Sequence, residues 1–330
     1  MGPLPFDLDL IRWLAESRTP LLTHVFQLAT WLGEVEGYVL LLSLVYVTFD
    51  KRLAFRLAVL TAVAMSLNHL VKELVMNPRP FVAEGSHLAM WAVSPARAAE
   101  LATEFSTPSG HAMSAGAFYV YLFMSVESRL VRTVAIALLL ATGLSRPYLG
   151  VHYLEDVLIG WPLGAALALF SFRYAASIAA TWRWLGYRGQ IAFVGAVSLV
   201  LTLFTRRLAE GGPAEQPLAF LGYTGFLMGV VVAHPLELAT SDFDPRSSPA
   251  WVKALRLALC VALVMGTLFA LDVAFAALAS DTSPAGYLLR YVRYAAAGAA
   301  GLLVAPLLFV RLGLAGRLHP GRLDRKRGAP

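Results

Sequence analysis

The 330-residue chain is 58% hydrophobic and 15% charged, with a mean hydropathy of +0.64, against roughly 25% charged residues in an average soluble domain. This composition excludes a water-soluble globular enzyme and predicts an all-α polytopic membrane bundle. The net charge of +6 reflects one-sided loop charge and gives no reason to invoke nucleic acid.

The N-terminus, MGPLPFDLDLIRWLAESR, is acidic where a signal peptide would be basic, and it lacks a long apolar stretch. Residues 5–33 therefore read as amphipathic helices lying in the membrane interface, with Trp13 and Trp31 as anchors. They make up a first region, 1–34. A membrane-spanning helix needs about 20 mostly apolar residues. Nine segments qualify or come close: 35–50, 53–75, 111–127, 132–149, 154–173, 189–205, 217–236, 254–277 and 290–310. The first five, within 35–174, contain all the unusual polar residues. The other four, with a basic tail, form a region 175–330 that begins near TWRWLGYRGQ. Between the second and third spans runs a long loop, 81–107, carrying Met90 and Trp91; loops of this length are often lids or substrate rims. The single Cys260 lies within an apolar run, so neither a disulfide framework nor a Cys-rich metal site is available.

Cytoplasmic loops accumulate Lys and Arg. Most of the 27 such residues fall on one side of the nine spans, in the loops near 51, 130, 183 and 253 and in the tail after Arg311. The tail is therefore expected to be cytoplasmic. The loops at 76–110 and 145–155 then face the exterior or periplasm.

Three polar blocks stand at those exterior ends. VKELVMNPRP places Lys72 and Arg79 two helical turns apart. Cations there need water or an anion, or else snorkel to lipid headgroups; Pro78 and Pro80 favour a shaped exit over a plain helix end. TPSGHAMSAG puts Pro108, Ser109, Gly110 and His111 at the start of the third span, where free backbone N–H groups make an anion site and Ser109 can act as a simple cap. GLSRPYLGVHYLED holds Ser145, Arg146, His152 and Asp156. His152 and Asp156 are four apart and share a helical face, so the carboxylate can fix the imidazole tautomer. Taken alone, that pair also fits a structural role. Glu155 points about 100° away round the helix, towards solvent or the rim.

In register, the blocks read Lys, six residues, Arg-Pro; then Pro-Ser-Gly-His; then Ser-Arg, five residues, His, three residues, Asp. This pattern resembles the type 2 phosphatidic acid phosphatase superfamily, which also includes glucose-6-phosphatase and the vanadium haloperoxidases. The resemblance covers roughly residues 36–174 and leaves the last four spans untested. It implies His152 as a nucleophile forming a phosphohistidine, Asp156 as its orienter and His111 as general acid to the leaving oxygen. Lys72, Arg79, Arg146, Ser109 and the Gly110 N–H would clamp the phosphoryl oxygens.

Phosphoryl transfer asks a protein mainly for positioning and for charge around three equatorial oxygens, which three cations and backbone donors can supply. No compact Asp/Glu cluster suited to magnesium occurs in these blocks, so no metal or other cofactor is expected. The implied activity is hydrolysis of lipid phosphate or diphosphate esters, such as phosphatidic acid or a polyprenyl diphosphate, at the exterior or periplasmic face of a bacterial plasma membrane. Hydrolysis of a soluble phosphate ester, transfer to an acceptor other than water, and a transporter or scramblase whose polar residues line a path remain alternatives. Asn68 and His69 are either support for Lys72 or buried polar partners between spans. His24, His87, His234 and His319 are assigned no chemistry, and Asp242 and Asp244 read as a hydrated loop.

Overall fold

The computed structural model describes residues 4, 6–83, 92–210, 217–246 and 248–318. Met90, Trp91, His87 and His319 lie outside them. The described residues form helices α1 (Asp9–Glu16), α2 (Pro20–Trp31), α3 (Val35–Thr48), α4 (Lys51–Val75), α5 (Pro80–Ala83), α6 (Pro95–Ala102), α7 (Gly110–Ser125) and α8 (Arg129–Tyr148). There follow α9 (Leu154–Arg173), α10 (Ala175–Trp184), α11 (Gly186–Glu210), α12 (Leu218–Thr240), α13 (Ala250–Ala276) and α14 (Pro284–Ala299), which runs through a π-helical turn, Ala300–Val304, into α15 (Ala305–Arg311). Among the described residues there are helices but no strands, so the chain is an all-α membrane protein.

Against the expected nine spans, the described residues contain seven helices, or stretches of helix, long and apolar enough to cross a membrane, and eight if α2 and α3, bent by 65°, count as one. The two that fall short are α3 and α7. At 16 residues, α7 extends only about 24 Å at 1.5 Å per residue, against a hydrocarbon core of about 30 Å. Nor is α7 a lipid-facing helix. It is buried continuously from Ala112 to Tyr119.

Two compact units divide the chain. One comprises residues 1–38, 63–180 and 204–216, and the other 39–62, 181–203 and 217–330. Helices α3, α4, α10 and α11 each contribute to both.

In the first unit, α7 packs on α9 at backbone contact distance. Gly160 and Gly164, one turn apart on α9, face α7: a Cβ at Gly160 would stand 2.8 Å from Ser109 O, and one at Gly164 would stand 2.0 Å from Met113 O. Between helices in lipid there is little hydrophobic driving force, and small residues spaced by three let backbones approach until dispersion and weak polar contacts hold them. Helix α2 lies against α8. Phe26 packs on Tyr148 with ring centroids 4.3 Å apart, and Thr142 donates to Ala29 O, while Leu21, Val25 and Leu28 are exposed. The N-terminal region is thus amphipathic, with its inner face committed to the bundle.

The second unit repeats the device, with Gly225 and Gly229 of α12 against the Tyr291 and Ala295 carbonyls of α14. It also corrects the reading of Asp242 as hydrated. Asp242 is buried and pairs with Lys51 at 2.6 Å, and Lys51 pairs with Glu237 at 3.2 Å. Nearby, the fully buried Arg256 donates to Leu314 O at 2.8 Å. Sharing the charge among these buried groups offsets part of the cost of desolvating them.

Candidate active site

All the site residues expected from the sequence lie in the first unit. Helix α8 ends at Tyr148, and the chain reverses through Leu149 and Gly150. Gly150 has φ +76°, a left-handed conformation that favours glycine. The turn is closed by Val151 N donating to Arg146 O at 3.1 Å, so Arg146 and His152 are carried on the two limbs of one tight reversal. Helix α9 then begins, with Asp156 at its third position. There the Asp156 carboxylate accepts from the Tyr153 N–H at 3.0 Å, the reach-back half of a capping box.

His152 and Asp156 meet as their spacing predicts, with Nδ1 3.2 Å from Oδ2. The carboxylate is itself pinned. Thr107 donates to Oδ1 at 2.5 Å and Ser106 donates to Oδ2. These two hydroxyls precede Pro108, and the Ser109 N–H donates to the main-chain oxygen of Asp156 at 3.1 Å. The Pro-Ser-Gly-His segment is therefore sewn directly to the start of α9. Asn77 fixes Thr107 from the other side, at 2.8 Å, and Asn68 donates to Pro108 O at 3.0 Å. Sequence reading missed Ser106, Thr107 and Asn77. The only signal was their position, immediately before one motif and between the two halves of another.

The cations come next. Arg79, 1% exposed, directs NH1 at His152 Nε2 from 3.0 Å and at Val151 O from 3.0 Å. Its NH2 lies 2.6 Å from the Glu104 carboxylate, which also holds Lys72 at 3.3 Å. Glu104 drew no attention in the sequence, being one of three glutamates in a long loop with no motif around it. Partial burial opposes its charge, but Lys72 and Arg79 together hold its carboxyl well below the usual carboxylate range. For His152 the balance goes the other way. Burial, then the charges of Arg79, Arg146 and Lys72, push its imidazole well below its ordinary value, so the ring is neutral near pH 7 with a lone pair on Nε2.

Arg146 is buried; its NH1 donates to Thr30 Oγ1, and its Nε is buried without a hydrogen-bond partner. His111, at the second position of α7, likewise has a buried Nε2 with no partner, and it stands within electrostatic reach of Arg146, His152, Arg97 and Arg79. Ser109 is committed to capping, accepting from Ala112 N at 3.4 Å. Gly110 sits where a Cβ would be 3.1 Å from Asn68 Oδ1, a tight approach that brings the helix start against α4. His69 lies beside Glu73 at 3.6 Å, one turn from Lys72. Glu155 accepts from the Asp7 N–H at 3.3 Å, which ties the N-terminus to the rim. Among the described residues no group of His, Cys, Asp and Glu has the arrangement of a metal site.

Comparison with known proteins gives a consistent set of likenesses. The profile of the PAP2 superfamily matches residues 53–180, and that of the PAP2 superfamily phosphatase transmembrane extension matches 221–317. Phosphatidylglycerophosphatase B of Bacillus subtilis is 33% identical over 110 residues, 31% of this chain and 47% of that protein. Sphingosine-1-phosphate phosphatase 1 of Mus musculus is 25% identical over 261 residues, 74% of this chain and 58% of that protein. The chain thus spans about half the length of these relatives. The crystal structure of Aquifex aeolicus LpxE superposes with a TM-score of 0.44 at 22% identity, over 53% of this chain and 100% of that one.

Proposed function

Since the chain belongs to the PAP2 superfamily, we propose that it is an integral-membrane phosphatase that hydrolyses lipid phosphate or diphosphate esters through a phosphohistidine on His152. The observation that carries this reading is the polarised imidazole. Nδ1 is held by Asp156, and Nε2 opens towards the Arg79 guanidinium with Lys72 alongside.

In the first half-reaction, Nε2 of neutral His152 attacks phosphorus, the P–N bond forms and the ester P–O bond breaks. The departing oxygen takes a proton from His111. Asp156, fixed by Ser106, Thr107 and the Tyr153 N–H, keeps the Nδ1 proton in place and balances the positive charge that develops on the ring. Lys72, Arg79 and Arg146 stabilise the equatorial oxygens. In the second half-reaction, His111, now neutral, takes a proton from water, whose oxygen attacks phosphorus and breaks the P–N bond. Inorganic phosphate leaves and His152 is restored.

The relatives' names, both lipid phosphomonoester phosphatases, agree with a substrate whose tail stays in the bilayer while its headgroup reaches the ends of α4, α7 and α9. The active site is assigned to the exterior or periplasmic face of a bacterial plasma membrane and the C-terminus to the cytoplasm, from the one-sided distribution of Lys and Arg.

The test is phosphoenzyme trapping with radiolabelled substrate. Wild type forms an acid-labile adduct in the presence of EDTA, and His152→Ala forms none. The same assay resolves the role of His111. An alkoxide leaving group needs a proton and a nitrophenolate hardly does, so His111→Ala loses about 10² to 10⁴ in rate on alkyl phosphates yet still forms phosphoenzyme from an aryl ester. An adduct surviving in His152→Ala sinks the nucleophile assignment. Equal losses on both esters withdraw the general acid.

A further inference from the structure

Lys72 and Arg79 are almost wholly buried, yet the anion they share comes from a side chain that is 40% exposed. Glu104 follows α6 on a short coil and reaches inward. One oxygen, Oε2, is 2.6 Å from Arg79 NH2 and 3.3 Å from Lys72 Nζ, and the Glu104 main-chain carbonyl accepts from Arg79 Nε at 3.2 Å. A single oxygen bridging a guanidinium and an ammonium is the geometry of a phosphoryl oxygen in a cationic cradle. So long as Glu104 is there, Arg79 is also held with NH1 on the nucleophilic nitrogen of His152, at 3.0 Å. A phosphate dianion cannot take up the same two cations with a carboxylate a few ångströms away, because like charges at that distance repel strongly in a desolvated site.

Building on the phosphatase reading, we propose that Glu104 is the resting occupant of the phosphate cradle, a built-in competitor that substrate must displace from Lys72 and Arg79 before His152 can attack. This makes it a specificity residue. A phosphomonoester dianion brings two charges and can outbid one carboxylate, whereas the monoanion of a phosphodiester or a sulfate ester brings one and gains nothing by the exchange. It also speeds product release, since the returning carboxylate helps to expel inorganic phosphate.

The isostere Glu104→Gln keeps an oxygen acceptor for both cations and removes the charge. Losing one charge-assisted competitor is expected to tighten inhibition by inorganic phosphate and by vanadate by on the order of 10- to 100-fold. The KM for a phosphomonoester should fall in parallel, and competitive binding of an aryl sulfate should become measurable. If Glu104 were instead a scaffold for the cations, the variant would bind phosphate and vanadate more weakly; weaker or unchanged inhibition overturns the proposal. A wild type insensitive to both anions would overturn the phosphatase reading itself, which separates the two failures. A measurement on the unmutated protein guards against a variant that does not fold. Carbodiimide labelling of Glu104, read by mass spectrometry, should rise when vanadate is added, because displacement frees the carboxyl from the cations that suppress its protonation. A fall or no change in labelling at saturating vanadate counts against displacement.

Discussion

Gly164→Ala adds one methyl group 12 Å or so along α9 from Asp156, at about 1.5 Å per residue, and touches no residue of the chemistry. The new Cβ would stand 2.0 Å from Met113 O, 2.7 Å from Ala117 N and 2.9 Å from Met113 C, all backbone atoms of α7. No rotamer can relieve such contacts. A carbon and a carbonyl oxygen come no closer than about 3.3 Å, so α7 and α9 must part by roughly 1.3 Å. The hydrogen bonds joining the two helix starts, from the Ser109 N–H at 3.1 Å and the Thr107 hydroxyl at 2.5 Å to Asp156, would stretch past useful length. Misplacement of about 1 Å costs on the order of 10²-fold in rate, and overpacking of this kind costs about 1–3 kcal/mol in stability. The assay is phosphate release from a lipid phosphate in mixed micelles, with thermal unfolding in the same detergent. Gly266→Ala serves as the control. Nothing lies within 4 Å of its new Cβ, and it should keep full activity and gain up to about 1 kcal/mol from helix propensity alone. If Gly164→Ala matches Gly266→Ala in both rate and melting temperature, the close α7–α9 contact does not position the site.

Four further outcomes are expected. Thr107→Val removes a hydrogen bond to a buried carboxylate, worth about 1.5–3 kcal/mol, and should lower kcat with little change in KM; a change confined to KM would place Thr107 on the substrate instead. Because the imidazole of folded His152 gains its proton well below 6.5, the acid limb of kcat/KM should lie below pH 6.5 and activity should not fall as pH drops from 7.5 to 6.5 through loss of the nucleophile. The same shift means that the unfolded chain binds the extra proton first, so His152 favours unfolding progressively as pH falls below 6.5; a stability that rises on acidification through that range would contradict it. Single cysteines at Ala102 and Ala250, in a Cys260→Ala background, should react with an impermeant thiol reagent from opposite sides of the membrane, Ala102 from outside. Labelling from the same side would overturn the orientation.

The His152–Asp156 pair was legible because an i,i+4 spacing on a helix start fixes both residues to one face. The helical class and most spans were legible because apolar length is written directly in the chain. Helix α7 was read as a span like the others because GHAMSAGAFYVYLFMS is apolar all round, and hydropathy does not distinguish a helix surrounded by protein from one surrounded by lipid. What distinguishes it is its small residues and those of its neighbour, Ala112 against Gly160 and Gly116 against Gly164, and that pattern was there to be read. Glu104, Ser106 and Thr107 were not legible. Their roles arise from a loop that folds back across the site, joining residues 25 to 50 positions apart, and no local period encodes such a return. The buried Lys51–Asp242 pair was hidden for the same reason.

The shortness of α7 has a consequence for how the protein sits in its host membrane. A helix that contacts lipid must match the thickness of the bilayer, and mismatch makes it tilt or deforms the surrounding lipid at a cost of fractions of a kcal/mol per ångström. Sheathed by α8 and α9 and buried continuously from Ala112 to Tyr119, α7 meets no such boundary over those residues. The longer helices around it meet the acyl chains and take up whatever tilt they impose, while the helix that carries His111 keeps its register against Asp156. Bilayers of different acyl length should therefore shift how readily lipid substrate enters, and leave the chemical step on a short-chain ester nearly unchanged.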